Sequence, residues 1–199
     1  MNTKDLITVF NKSISDYHLQ DNVDFAIQNP YPANSFNAIL YQKNWIDTVQ
    51  WHLEDIIRNP QIDPSEALLL KRRIDASNQE RTDMVEKIDD YFFVIFNDVL
   101  PEEEAKINTE TLGWAIDRLS ILCLKIFHMR QETLRTDANV EHLEKCTQKL
   151  NVLLLQEQDM TQSINDLHTD ISLGKKKMRL YKQMKMYNDP ALNPVLYKK

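Results

Sequence analysis

Residues 71–96 read "KRRIDASNQERTDMVEKIDDYFFVIF", and their spacing decides the fold class. At about 100° per residue, Leu70, Ile74, Ser77, Arg81, Val85, Ile88, Phe92 and Ile95 line up as one helical stripe. The stripe suits a buried face except at Arg81 and, one turn earlier, Ser77. A buried guanidinium needs acceptors. We therefore expect Arg81 to be largely buried and to join neighbouring helices through carboxylates, with Asp55 and Asp117 as partners, leaving part of it free for an anion.

Proline divides the rest of the chain into similar blocks, because it breaks helices at internal positions. Helices are expected at about 3–19, 35–58, 63–96 and 109–136, followed by a long one from 137 to 187. Asp63, Pro64 and Glu66 form a helix-starting signature, with a capping side chain, a proline in the first turn and a capping-box acid. The last block carries a heptad seam over 143–181: Leu143, Cys146, Leu150, Leu153, Met160, Ile164, Leu167, Ile171, Met178 and Tyr181. Such a seam packs in coiled-coil fashion. Fifty helical residues would extend about 75 Å, so part of the helix is expected to project, fold back at Gly174, or pair with a second chain, and a homodimer through the 143–181 seam is the expected assembly. The expectation is one all-α domain over 1–199, with a bundle core over 1–136, the heptad helix over 137–187 and a basic tail over 188–199.

Composition removes several function classes. Only two glycines occur, Gly113 and Gly174, which excludes the glycine-rich phosphate loop and the dinucleotide fingerprint. Cys123 and Cys146 are far apart, so neither a disulfide framework nor a thiolate zinc site is expected. No signal peptide or membrane-spanning apolar run is evident, which reads as a cytoplasmic protein. The net charge of −6 divides into a body of −13 and a segment of +7 from Lys175 onward. That basic segment is expected to stay solvated or to dock on the acidic body of its own chain or of a twin; an anionic lipid or an acidic partner surface would also suit it, and nucleic acid is not an expected partner.

The phrases "QNPYP", "LYQKNWIDTVQWHLEDIIR", "LKRRIDASNQERTDMVEKID", "INTETLGWAIDRLSILCLKIFHMR" and "YKQMKMYNDPALNPVLY" resemble the DUF4254 family, a bacterial domain of unknown function. The resemblance covers nearly the whole chain. It implies an all-helical bacterial protein without an assigned activity, associated with cell-envelope glycan metabolism.

Polar residues set among these helices mark the candidate ligand site. The second helix places Tyr41, Trp51, His52 and Asp55 opposite its apolar face, and the third adds Arg73, Asp75, Asn78 and Arg81. The fourth, "LGWAIDRLSILCLKIFHM", is apolar nearly all round, as a central helix should be, yet contains Asp117, Arg118, Lys125 and His128. Arg73, Arg81, Arg118 and Lys125 would gather a phosphate or carboxylate, Trp51 or Tyr41 would stack a sugar or base, and His52 or His128 would move protons. The reading is an interhelical site for a small phosphate- or sugar-containing anion, with no cofactor. No serine–histidine or cysteine–histidine signature assigns a nucleophile. Two alternatives stand beside it. One is a non-enzymatic dimeric helical adaptor. The other is a magnesium-dependent all-α nucleotide pyrophosphohydrolase using Asp47, Glu54, Glu86 and Asp89, although its usual Glu-x-x-Glu on the first metal helix is missing.

Overall fold

The structure is a computed structural model that describes residues 1–186 and 189–198. Five long helices make the bundle: α1 (Thr3–His18), α2 (Phe36–Ile57), α3 (Pro64–Ile95), α4 (Leu112–Thr133) and α5 (Val140–Ser172). A one-turn α6 (Pro194–Tyr197) follows in the tail. The all-α expectation holds, and no described helix is long and apolar enough to cross a membrane.

Each start has a side-chain cap that satisfies backbone N–H groups left over by the first turn. Asn2, Ser35, Asp63, Thr111 and Asn139 cap α1 to α5 in turn. Asp63 Oδ1 accepts from the amides of Ser65 and Glu66, and Pro64 stands at the first helical position as its signature requires.

Helix α4 packs against α1, α2, α3 and α5. That central position accounts for its apolar circumference. Its entry is held against α3 by Asp89, which accepts from the Gly113 amide at 2.7 Å and from Thr111 Oγ1 at 2.6 Å. A Cβ at Gly113 would lie 2.7 Å from both the Asp89 carboxylate and the Val85 carbonyl, so only glycine permits this approach. Ile74, Ser77, Val85, Ile88 and Phe92 of the α3 stripe are buried, Arg81 is partly exposed, and Ile95 is half exposed.

Helix α5 is shorter than the heptad pattern suggested. It ends at Ser172, and Gly174, at φ +73°, turns the chain back, a conformation that glycine adopts without penalty. Ile164, Leu167 and Ile171 of the seam belong to the protein's own core, and Cys146 is also buried, whereas Val152 and Leu155 beside the seam are exposed. Beyond the turn, β2 (Lys176–Lys177) pairs in parallel with β1 (Lys106–Ile107), a two-residue ladder that ties the tail to the loop before α4.

The basic segment then lies along acidic α3. Lys182 Nζ contacts Asp90 at 2.9 Å and Glu86 at 3.4 Å, while Lys185 Nζ donates to Thr82 Oγ1 at 2.7 Å and to the Asn78 carbonyl at 3.1 Å. Lys199 lies outside the described residues.

Candidate functional site

Arg81 is answered by two carboxylates from two helices. Its Nε donates to Asp47 Oδ1 at 2.7 Å and its Nη2 to Asp117 Oδ1 at 3.3 Å. Asp117 on α4 is an expected partner. On α2 the partner is Asp47, not Asp55, because Asp47 faces the bundle interior while Asp55, two turns later, faces solvent.

A second cation completes the group. Lys43, one turn before Asp47, has no solvent exposure and reaches Asp47 Oδ2 at 2.5 Å and Asp117 Oδ1 at 2.7 Å. Ser120 Oγ donates to Asp47 Oδ2 at 2.6 Å, and Asn44 Nδ2 donates to Ser120 Oγ at 3.0 Å. Two cations and two anions cancel, and shared hydrogen bonds offset the cost of removing them from water. Burial opposes the Arg81 charge, but Asp47 and Asp117 outweigh it and hold the guanidinium above its ordinary pKa. The quartet pins α2, α3 and α4 together with little net charge left to attract an anion.

Two cavities flank it. One of about 320 Å³ includes Arg81 and Arg58, but also Asp47, Glu54 and Asp55. The other, of about 240 Å³, lies on the opposite side of Arg81 among Asp75, Asn78 and Asp117, with Lys185 of the tail in its wall.

A larger cavity, about 750 Å³, opens between α2, α4 and the first half of α5. One wall is a stacked pair, Trp51 and His128, with ring centroids 4.7 Å apart and planes 7° from parallel. Lys125, Lys145 and Lys149 line it against Asp55 and Glu132. Lys145 is paired with Glu141 outside the cavity, leaving Lys125 and Lys149 without an ion pair among the described residues.

Behind that stack lie His18 and His52, making a cluster of three imidazoles with His128. Burial, then the neighbouring rings, lowers the His128 pKa to about 4, and burial also lowers that of His52. Both are neutral at pH 7, which leaves each ring a lone pair with which to hold a metal.

The sequence-derived candidates therefore separate. Arg81 and Asp117 enter the buried quartet; Trp51, Asp55, Lys125 and His128 line the large cavity; His52 joins the histidine cluster. Asp75 and Asn78 line the small cavity by Lys185. Tyr41, Arg73 and Arg118 lie apart from these groups. Tyr41 is buried with its hydroxyl donating to Asp16, Arg73 pairs with Asp24, and Arg118 pairs with Glu110. Lys43, Ser120 and His18 were not anticipated. Lys43 lies four residues before Asp47, a spacing that favours ion pairs on a helix and was the one available signal.

The four carboxylates of the magnesium alternative have other partners and form no ligand cluster among the described residues. Asp47 lies in the quartet, Glu54 pairs with Arg58, Glu86 contacts Lys182, and Asp89 caps α4. A cysteine–histidine contact does occur, at His142 and Cys146, where Sγ is 3.3 Å from Nε2. The same Nε2 is 3.0 Å from Glu132, so one nitrogen serves both neighbours. A nucleophile–base–acid relay needs the two ring nitrogens to work separately.

A family model described as "Protein of unknown function (DUF4254)" matches residues 37–180. The chain belongs to this family. The matched span of DUF4254 begins in α2 and contains the quartet and the large cavity, but not His18. No curated protein and no solved structure matches the chain.

Proposed function

We propose that this DUF4254 protein binds a small anionic molecule, phosphate- or sugar-containing, in the large cavity between α2, α4 and α5. The observation that carries the reading is the pairing of an aromatic platform, Trp51 stacked on His128, with Lys125 and Lys149, which make no ion pair among the described residues, in one cavity of about 750 Å³. That volume lies within the range of small-molecule pockets. A flat ring stacks on the indole, and the lysines meet phosphate oxygens as point charges. Sugar hydroxyls have polar partners in Asp55 and Gln148.

This places the ligand away from Arg81, whose side chain is committed to Asp47 and Asp117 and whose adjacent cavity is rich in carboxylates. The envelope-glycan association suggested by the family resemblance agrees with a sugar phosphate as the ligand class, and such a ligand would be met in the cytoplasm.

The experiment is thermal melting with inorganic phosphate, pyrophosphate and a nucleoside diphosphate sugar. A ligand at 100 times its Kd adds about 2.7 kcal/mol to stability by mass action. The double variant Lys125→Gln, Lys149→Gln is expected to melt like wild type without ligand and to lose the response. A wild type indifferent to all three compounds at millimolar concentration, or a double variant with an unchanged response, contradicts the reading.

A further inference from the structure

Three helices bring one histidine each to a single point. His18 is the last residue of α1, His52 is in the last third of α2, and His128 is on α4. One ligating atom from each lies within 4.8 Å of the other two. His18 Nε2 and His52 Nε2 are 3.2 Å apart. Zinc–imidazole bonds of 2.0–2.1 Å in a tetrahedron put neighbouring nitrogens about 3.3 Å apart, so this pair already has the spacing of two ligands on one ion.

The surroundings are those of a metal site's outer layer. His18 Nδ1 is 2.7 Å from the Ile14 carbonyl, one turn back on its own helix. Carbonyl oxygen only accepts, so Nδ1 carries the proton and Nε2 presents its lone pair to the cluster. Tyr17 stacks on His52 and Trp51 on His128, which fixes the planes of the other two rings. His128 Nε2 is buried without a hydrogen-bond partner, a deficit rare in folded proteins.

A carboxylate completes the set. Asp21 Oδ1 is 3.9 Å from His52 Nε2. The Asp21 backbone is at φ +47°, a region that a non-glycine residue seldom occupies, and its amide closes the end of α1 on the Tyr17 carbonyl at 2.9 Å. The turn that ends α1 thus delivers both His18 and Asp21 to His52.

We propose that His18, His52 and His128 form a three-histidine site for a divalent transition metal ion, zinc in the first instance, with Asp21 beside the fourth coordination position. Imidazole suits zinc, and three protein nitrogens with one further position make a common zinc coordination set. Binding uses the Nε2 lone pair of His18. The proton between the two Nε2 atoms moves to His52 Nδ1, so the neutral ring becomes a ligand without a change of charge. The site does not depend on the anion reading, since its binding is measured with the metal alone.

The test uses the full chain, stripped by chelator and dialysed, then titrated with Zn²⁺ by calorimetry and with Co²⁺ by visible absorption. The expected result is one ion per chain, cobalt bands of the intensity typical of four-coordination, and no thiolate charge transfer. His18→Gln and His128→Gln should each weaken binding by more than about tenfold, the lower figure for loss of even an outer-layer partner. Cys146→Ser, in the separate Glu132–His142–Cys146 group, should leave binding unchanged. Should a histidine variant fail to fold, X-ray absorption at the zinc edge of the loaded wild type decides: an imidazole nitrogen shell supports the site, and a sulfur ligand overturns it. Absence of stoichiometric binding to wild type, or full affinity in folded His18→Gln and His128→Gln, also overturns it.

Discussion

Lys43→Met removes the most deeply enclosed charge in the protein and keeps the shape of its stem. Lys43 is 0% exposed and supplies the shorter of the two cationic contacts to Asp117, at 2.7 Å against 3.3 Å from Arg81. Without it, Asp47 retains Arg81 Nε and Ser120, whereas Asp117 keeps only the long contact to Arg81 Nη2. One partner taken from a buried ion pair costs about 3–5 kcal/mol. For a chain of this size that corresponds to a fall in Tm of about 6–20 °C. Chemical denaturation and melting should both report it.

Adding Asp117→Asn leaves Arg81 and Asp47 as a balanced pair and should recover part of the loss, a coupling that a double-mutant cycle measures. A single variant within about 1 kcal/mol of wild type, or a double variant that recovers nothing, would refute the balanced quartet.

Gly113→Ala forces a methyl against the Asp89 carboxylate and the Val85 carbonyl, and should cost about 1–3 kcal/mol, the usual cost of overpacking, in denaturant unfolding. The histidines set an acid dependence. With His128 lowered to about 4 and unfolded histidine near 6.5, the unfolded state binds more protons between those values, so stability should fall as pH drops through the window. Residual solvent screening keeps the loss below about 3 kcal/mol; His128→Gln should flatten the profile, and an unaltered profile would sink the assignment. Ile164→Glu places a charge among core residues of its own chain and should unfold the protein by circular dichroism. A folded monomeric variant of a dimeric wild type, seen in sedimentation, would instead place the heptad seam between chains.

Local chemistry explains what the sequence disclosed. The α3 stripe, the Asp63–Pro64–Glu66 start and the turn at Gly174 are written in periodicity and in residues with one strong backbone preference. Arg81 was conspicuous because a guanidinium on an apolar stripe must find acceptors. Which acceptors it found was not legible. Asp47 and Asp55 stand about 80° apart around α2, and only the packing of the other helices decides which one is buried. Nothing in the sequence marks Lys43 as buried, since its burial depends on Asp117, 74 positions away. His18 likewise gains meaning only when the end of α1 meets α2 and α4. The heptad pattern was real as apolar spacing, but apolar spacing alone does not distinguish a partner chain from the protein's own core, and Ile164, Leu167 and Ile171 met the latter.

Isothermal calorimetry with a nucleoside diphosphate sugar shows whether the cavity between α2, α4 and α5 takes a small anion, using wild type, Trp51→Leu and the Lys125→Gln, Lys149→Gln double variant. Saturable one-to-one binding to wild type is expected, weakened in Trp51→Leu by about 1–3 kcal/mol, the usual loss for an aromatic stacking partner, and abolished in the double variant. No heat of binding to wild type, or equal affinity in all three proteins, would contradict it.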